Sequence, residues 1–356
     1  MANVVPHGFT SLKDLFPTAL TDHIPEVQTA IAQSVAEHNR QMEAILGLFC
    51  TKTTEKQLRY RYGVNTRLVA GDEYSEVDPV KGMSRYTVAW PLQIAQGATG
   101  VTYNAEQRMT VKDAEMLTGA MLSADFRWLR DHILAALFMD ATWVHTNERD
   151  GDLTIQPLAN GDSVVYQVFA GADAGAVDTH QHSDATAIGD AAADNPYIKI
   201  YAELMEHPEN GGKVICLIPT ALKATTIALT GFYDIADPNI RLGSGTAELI
   251  GGLGVQVPGT LIGYAHECWI VEWPSLPATH IIGVCTEGDR PLRMREEDIV
   301  SLQGFRHVID TEEHPFYKSH FERTAGFGAW NRVGAVSSYI GNDTYAVPTN
   351  YTPPIP

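Results

Sequence analysis

The residue pattern in this sequence with the clearest capacity for chemistry is Asp178-x-His180-x-His182. Side chains two positions apart on a strand point to the same face, so the two imidazoles would project together. Imidazole nitrogens and carboxylate oxygens bind divalent metals such as Zn²⁺. A bound metal can generate hydroxide from water at neutral pH. The spacing therefore raises the hypothesis of a metal-dependent hydrolase.

Asp-x-His-x-His resembles the first-strand metal motif of amidohydrolases, and that resemblance implies a TIM barrel. Such a barrel takes about 250 residues after its first strand begins, whereas this chain ends at residue 356. The flanking segments, 171–175 and 183–186, are rich in small and polar residues. We therefore predict that His180 and His182 lie in a surface loop, and an amidohydrolase-like enzyme remains an alternative.

Motifs of other common catalytic sites are absent from the sequence. Gly212-Lys213 has no glycine at the upstream position of a phosphate-binding loop. No Gly-x-Ser-x-Gly elbow of the hydrolase type occurs. We predict that the protein is not an enzyme and has no catalytic residue, no cofactor and no metal.

The composition is that of a folded protein, with 44% apolar and 19% charged residues among 356. The four cysteines form no Cys-x-x-Cys pair and have apolar neighbours, as buried free thiols do; they are Cys50, Cys216, Cys268 and Cys285. No segment is long and apolar enough to span a membrane, and no signal peptide is readable. These features predict a protein made in a reducing cytoplasm, without a membrane partner.

The charge balance is strongly acidic, with 43 Asp and Glu against 25 Lys and Arg and a net charge of -18. Proteins that grip nucleic acid neutralise its phosphates with Lys and Arg. Tight nucleic-acid binding is therefore not expected. Loose, non-specific contact with packed DNA is compatible with this charge, as is an acidic enzyme.

A period of two in residue type predicts a long two-stranded excursion over residues 57–104. Arg59 and Arg61 alternate with apolar and aromatic residues in its first strand, and Arg85 begins the same alternation in the second. An isolated hairpin is marginally stable in water. Its aromatic face must therefore pack on another part of this chain or on another chain.

A long helix follows the predicted hairpin. Thr110 and Asp113 have the spacing of a capping box, and the helical pattern continues to about Trp143. Apolar residues lie on two sides of this helix, which predicts burial of two faces.

The C-terminal region resembles a known family. Glu322-Arg323 opens an alternating stretch, Asn331-Arg332 form a polar turn, and an apolar strand follows over residues 335–340. This order resembles the C-terminal strands of tailed-phage major capsid proteins with the Hong-Kong-97-type fold. Leu253-Gly254-Val255-Gln256-Val257 is similar to a strand motif of the axial domain in that family.

The resemblance implies an α+β fold with an N-terminal arm, an extended β-hairpin loop, a long spine helix, and peripheral and axial domains. The expected divisions are the arm and helix (1–56), the hairpin loop (57–110), the peripheral domain with the spine helix (111–210), the axial domain (211–290), the return strands (291–347) and the tail (348–356).

The resemblance also implies a function. Copies of the chain would form hexamers and pentamers and close an icosahedral head around double-stranded DNA, assembled in the host cytoplasm. A scaffolding, portal or decoration protein would be a further partner. An encapsulin-like nanocompartment shell is the alternative within the same fold.

Inter-subunit contacts are expected along the N-terminal arm, the hairpin and the tail. Arg59, Arg61, Arg85 and Trp90 are the predicted contact residues. The tail contains four prolines and few residues that could form a core. We therefore expect a partner chain to hold it.

Overall fold

The computed structural model describes residues 24–61, 73, 85–106, 108–169, 176–236, 256–313 and 316–355. The arm predicted for the first 23 residues lies outside this part of the chain. So do the hairpin connection at 69–83, apart from Glu73, and most of the Leu253–Val257 motif.

Helices and strands are mixed along the described chain. The helices are α1 (Ile24–Phe49), α2 (Tyr103–Glu106), α3 (Val111–Phe138), α4 (Pro196–Met205) and α5 (Thr220–Ile227). The strands are β1 (Cys50–Thr53), β2 (Gln57–Arg61), β3 (Arg85–Ala89), β4 (Gln93–Thr102), β5 (Trp143–Asn147), β6 (Gly151–Ile155), β7 (Asn160–Tyr166), β8 (Ala176–Thr179), β9 (Gln181–Asp184), β10 (Asn210–Ile218), β11 (Phe232–Asp234), β12 (Thr260–Ala265), β13 (Cys268–Glu272), β14 (His280–Gly288), β15 (Leu292–Arg295), β16 (Phe305–Glu313), β17 (Phe316–Ala329) and β18 (Ala335–Ile340). No described helix is both long and apolar enough to cross a membrane.

Helix α3 begins as the sequence predicts and ends earlier. The capping box is present, because the Asp113 carboxylate accepts a hydrogen bond from the Thr110 backbone N–H at 2.9 Å. The helix has 28 residues, or a length of about 42 Å at 1.5 Å per residue. The expected end at Trp143 is wrong, because Met139 leaves helical backbone geometry at ψ 126° and Trp143 begins β5.

A five-stranded sheet packs on α3. Its path is β1-β15-β17-β16, and β4 also pairs with β17 along ten residues. The prediction of one hairpin over residues 57–104 is therefore wrong in its second half, because the chain leaves the β2–β3 pair at Pro91. Gly326 permits this crossing, since a Cβ at that position would overlap the Pro91 carbonyl oxygen.

A seven-stranded sheet forms the second layer, in the order β11-β12-β13-β10-β14-β18-β9. Helix α4 covers one face of it, where Ile200 and Leu204 pack against Cys216 and Ile281. The other face joins the C-terminal half of α3 and the five-stranded sheet in one shared core. The two sheets are thus joined by continuous apolar packing.

The C-terminal tail folds against its own chain over the described residues. Tyr351 packs edge-on against Phe138 with ring centroids 5.7 Å apart. The Tyr345 hydroxyl donates to the Phe138 carbonyl at 2.9 Å. These aromatic contacts, which the proline-rich composition did not reveal, hold part of the C-terminal region within its own chain. The contact of the tail with a partner chain stays a prediction.

Candidate assembly surface and buried polar clusters

The hairpin formed by β2 and β3 is fixed at its base by aromatic stacking. Tyr60 and Tyr86 lie directly opposite each other and stack with ring centroids 5.1 Å apart. Trp330, from the turn after β17, meets Tyr60 edge-on at 4.8 Å. The aromatic face of the hairpin therefore packs within the chain, one of the two possibilities that the sequence allowed.

The opposite face of the hairpin carries arginines. Arg59 and Arg85 are exposed, and Arg61 pairs with Arg85 in the strand register; the Arg61 side chain lies outside the described residues. Like charges directly opposite on two strands destabilise a hairpin. Neither Arg59 nor Arg85 has a carboxylate partner within the described part of the chain. This face is therefore a positive surface on an acidic protein.

Trp90 has a different environment from the three arginines. Its side chain is fully buried, and its indole N–H donates to the Gly328 carbonyl at 3.1 Å. Because it packs inside its own chain, Trp90 occupies a core position at the hairpin base, whereas Arg59 and Arg85 are exposed.

Arg332 connects the hairpin base to the rest of the subunit. It is fully buried and lies 5.4 Å from the centre of the Tyr86 ring. Its guanidinium donates to the Pro157 carbonyl at 2.7 Å, to the Leu158 carbonyl at 3.2 Å and to the Asp162 carboxylate at 2.8 Å. The polar turn of the C-terminal motif is thus an internal anchor rather than an exposed loop.

Arg323, in the Glu-Arg pair of the same motif, forms a second buried cluster. Its guanidinium binds both carboxylate oxygens of Asp125, with Nη2–Oδ2 at 2.8 Å. His38 Nε2 lies 2.7 Å from the same Oδ2 atom, and Asn39 Oδ1 accepts from Arg323 at 3.0 Å. The cluster therefore ties α1, α3 and β17 together at one point.

The electrostatics of Asp125 favour its charged form. Burial alone would raise the pKa of its carboxyl, but hydrogen bonds from His38 and Arg323 outweigh burial and hold that pKa below its ordinary value. Asp125 is thus a carboxylate in the folded subunit at neutral pH and balances the buried Arg323 cation.

Apolar side chains are exposed on the outer side of the five-stranded sheet. They are Ile94 of β4 (63% exposed), Val308 and Ile309 of β16 (47% and 54%) and Phe316 of β17 (46%). Val308 and Ile309 line one shallow concavity with Gln96 and Ala98. Exposed apolar residues that lie together, as Val308 and Ile309 do, are typical of interaction surfaces.

The Asp178–His182 segment is not a surface loop. His180 is fully buried, and β9, which follows it, pairs with β18 as an edge strand of the seven-stranded sheet. The loop prediction is corrected because the polar flanking composition concealed this pairing. His182 is partly exposed and lies 3.3 Å from Glu203.

The partner of His180 is a histidine that the sequence did not single out. His180 Nε2 lies 3.1 Å from His207 Nε2, and Asp178 Oδ2 lies within 3.2 Å of both nitrogens. Burial would raise the pKa of Asp178, but a protonated imidazole that donates to it from Nε2, on His180 or His207, outweighs burial and lowers that pKa far below its usual range. The three groups form one tight cluster with an ionised carboxylate.

Asp125 and His207 are the main functional candidates that the sequence analysis missed. Asp125 had a signal, because it shares one face of α3 with the buried Leu122 and Leu129, where a lone carboxylate needs a partner. His207 had no such signal in the sequence, because it follows the end of α4 and is far in sequence from Asp178.

The described elements have the mixed helix and strand fold found in phage capsid chains. A chain of Mycobacterium phage Patience has a TM-score of 0.67 at 19% identity, over 92% of this chain and 91% of that one. A chain from the asymmetric unit of the bacteriophage PhiM1 mature capsid has a TM-score of 0.50 at 10% identity, over 83% and 85%.

These structural matches confirm the predicted resemblance to tailed-phage major capsid proteins at the level of the fold, and with it the α+β class. No protein-family model matches the sequence, and no curated protein matches it. Neither the amidohydrolase-like enzyme nor the encapsulin-like shell is favoured by these comparisons.

Proposed function

We propose that this protein is the major capsid protein of a tailed bacteriophage. Copies would associate into hexamers and pentamers and close an icosahedral head around double-stranded DNA. The observation that carries the proposal is the match to the phage Patience chain, which extends over nine tenths of both chains. The finer Hong-Kong-97-type parts belong to the same proposal: α3 as the spine helix, β2–β3 as the extended loop, and the axial and peripheral domains around the two sheets.

The hairpin arginines support this function through charge complementarity. A second copy of the chain carries a net charge of -18, and acidic side chains of such a neighbouring subunit are the proposed partners of Arg59, Arg61 and Arg85. Complementary charges of this kind fix the register of a protein interface and suppress wrong partners. A symmetric assembly repeats each such contact in every subunit.

The exposed apolar residues of the five-stranded sheet support the same conclusion. Ile94, Val308, Ile309 and Phe316 contact solvent in the single chain, although burying such side chains is favourable. A neighbouring subunit would cover them in a shell. The arginine face of the hairpin is a separate charged surface. Each subunit therefore has at least two distinct regions for association.

The proposed contact with DNA is loose. An excess of 18 negative charges disfavours tight phosphate binding, which suits the inner wall of a container. A scaffolding, portal or decoration protein is a proposed partner, and the phage head is the proposed location after assembly in the host cytoplasm.

The first test is assembly itself. We expect the purified protein to form large closed particles, visible by electron microscopy and as a large species in light scattering. A stable monomer or dimer under all solvent conditions would contradict the proposal. DNA inside particles recovered from infected cells would favour a phage head, whereas an enclosed enzyme would favour the encapsulin-like alternative.

Reversing the charge of the hairpin should block assembly and spare the subunit. In Arg59→Glu with Arg61→Glu, the loss of interfacial charge pairs should cost about 2–5 kcal/mol per interface, while exposed substitutions change subunit stability by about 0.5 kcal/mol. Particle yield by sedimentation and the melting temperature of free subunits measure the two effects.

The matched control is Arg108→Glu with Arg127→Glu. These arginines are exposed and lie outside the β2–β3 pair, and the change in net charge is the same. We expect this variant to assemble better than the hairpin variant. If the hairpin variant forms particles as well as the wild type does, its arginines are not at an interface.

A further inference from the structure

The tautomers of His180 and His207 are fixed by the backbone. His180 Nδ1 lies 2.9 Å from the Ala335 carbonyl oxygen, and His207 Nδ1 lies 2.8 Å from the Gln167 carbonyl oxygen. A carbonyl oxygen only accepts hydrogen bonds, so each Nδ1 must carry its hydrogen. In the neutral rings, both Nε2 atoms are therefore left as lone-pair acceptors.

These two acceptors point at each other and at a carboxylate. The Nε2 atoms are 3.1 Å apart, and Asp178 Oδ2 lies 3.2 Å from His180 Nε2 and 2.7 Å from His207 Nε2. Three lone pairs at this separation repel unless a cation lies among them. Ligand atoms of a tetrahedral zinc site with bonds of about 2.0–2.1 Å are about 3.3 Å apart, so a small adjustment would seat such an ion.

A further carboxylate, that of Glu206, lies beside the cluster. Glu206 Oε1 is 3.6 Å from His207 Nε2, and the carboxylates of Asp178, Glu203 and Glu206 approach one another closely enough to share an ion. Glu206 is 40% exposed at its side chain, which leaves a path from solvent. Each histidine also has the backbone carbonyl partner on its other nitrogen that metal-bound histidines usually have.

We propose that Asp178, His180 and His207 bind one divalent transition-metal ion, for which Zn²⁺ is the probe, with Glu206 as the fourth ligand. A site with four protein ligands is closed and structural. The ion joins β8 and the residue before β9 to the end of α4, and so pins the edge of the seven-stranded sheet. The site shares two residues with the amidohydrolase-like motif, but not its His182 ligand, its barrel or its reaction.

The competing occupant of the cluster is a proton. A doubly protonated His207 would donate from Nε2 to Asp178 and satisfy the same geometry without a metal. If a proton occupies the cluster, the chain need not bind Zn²⁺. A direct measurement of bound zinc therefore separates the two alternatives.

The experiment uses the full-length wild-type chain, stripped with chelator and dialysed against buffered Zn²⁺. We expect one zinc per chain by elemental analysis, and X-ray absorption that shows nitrogen and oxygen ligands without sulfur. The melting temperature should rise by about 3–4 °C at a free Zn²⁺ concentration about 100-fold above the dissociation constant. His207→Gln should lose both the bound zinc and the rise.

His307→Gln is the matched control. His307 also pairs with a carboxylate, with Nε2 2.9 Å from Asp310 Oδ1, but among the described residues it belongs to no group of metal-binding side chains, so this variant should keep one zinc per chain. If His207→Gln fails to fold, the number of zinc ions per wild-type chain and the type of their ligands still test the proposal. The proposal would be overturned if the wild type bound less than a tenth of an equivalent of zinc or if the zinc had sulfur ligands. It would also be overturned if both variants lost bound zinc equally. The outcome is independent of whether the chain assembles into a shell.

Discussion

Asp125→Asn is expected to destabilise the folded subunit by about 3–5 kcal/mol, although it leaves the size of the side chain unchanged. The substitution removes the negative charge that balances Arg323 in the buried cluster with His38, where the Asp125 and Arg323 side chains are 1% and 2% exposed. An unbalanced buried cation is costly, and breaking a buried ion pair from one side has this magnitude.

Urea unfolding of the free subunit measures this effect. The control is Asp131→Asn on the same helix, because Asp131 pairs with Arg130 near the surface at 2.7 Å and such pairs contribute about 0–1 kcal/mol. If Asp125→Asn and Asp131→Asn unfold at the same urea midpoint, the buried cluster contributes little to stability.

A double variant separates charge from packing in this cluster. Asp125→Leu with Arg323→Met replaces the pair by apolar side chains, and such replacements are often neutral or stabilising. We expect the double variant to recover most of the stability that Asp125→Asn loses. If it is as unstable as the single variant, the geometry of the hydrogen bonds matters more than the balance of charge.

The same cluster sets a pH dependence with a definite sign. The folded-state pKa of Asp125 is lowered by His38 and Arg323, whereas an unfolded Asp titrates near about 3.9. The stabilisation is therefore complete above about pH 4 and is lost as the pH falls through the folded-state pKa. We compare the wild type with the double variant Asp125→Leu with Arg323→Met. The free energy of unfolding of the wild type should fall relative to that of the double variant only in that acidic range.

The sequence predicted the elements whose patterns are local. The capping box of α3 and the strand at 335–340 were found because they depend on neighbouring residues alone. The polar Asn331-Arg332 turn and the Glu322-Arg323 pair were recognised as a motif. Their physical roles could not be read, because the partners of both arginines lie more than 150 residues away in the chain.

The errors have the same origin. His180 was predicted to be exposed because its neighbours are small and polar, yet it is buried by β18 and by the end of α4. The strand after Pro91 was assigned to the hairpin, because periodicity shows that a strand exists and does not show which strand it pairs with. Long-range pairing and burial of polar groups were therefore the parts that one sequence could not supply.

Arg332→Lys is expected to cost the subunit about 3–5 kcal/mol and to lower particle yield as well. Lysine keeps the positive charge but lacks the planar fork that reaches several acceptors at once. The acceptors left behind are buried, among them the Pro157 and Leu158 carbonyls. Hydrogen bonds to charged groups contribute about 1.5–3 kcal/mol each, so the loss of two would cost about 3–6 kcal/mol, which covers the expected range.

The loss should extend to the hairpin because Arg332 lies against the Tyr86 ring and its backbone N–H donates to the Tyr86 hydroxyl at 3.3 Å. Hydrogen exchange in β2 and β3 should therefore be faster in Arg332→Lys than in Arg306→Lys, whose arginine is partly exposed and pairs only with Glu322 among the described carboxylates. Faster exchange together with fewer particles would mean that the subunit core holds the arginine face in position for assembly. Unchanged exchange in β2 and β3 would show that the hairpin is positioned by its tyrosine stacking alone, and that Arg332 stabilises only the turn in which it lies.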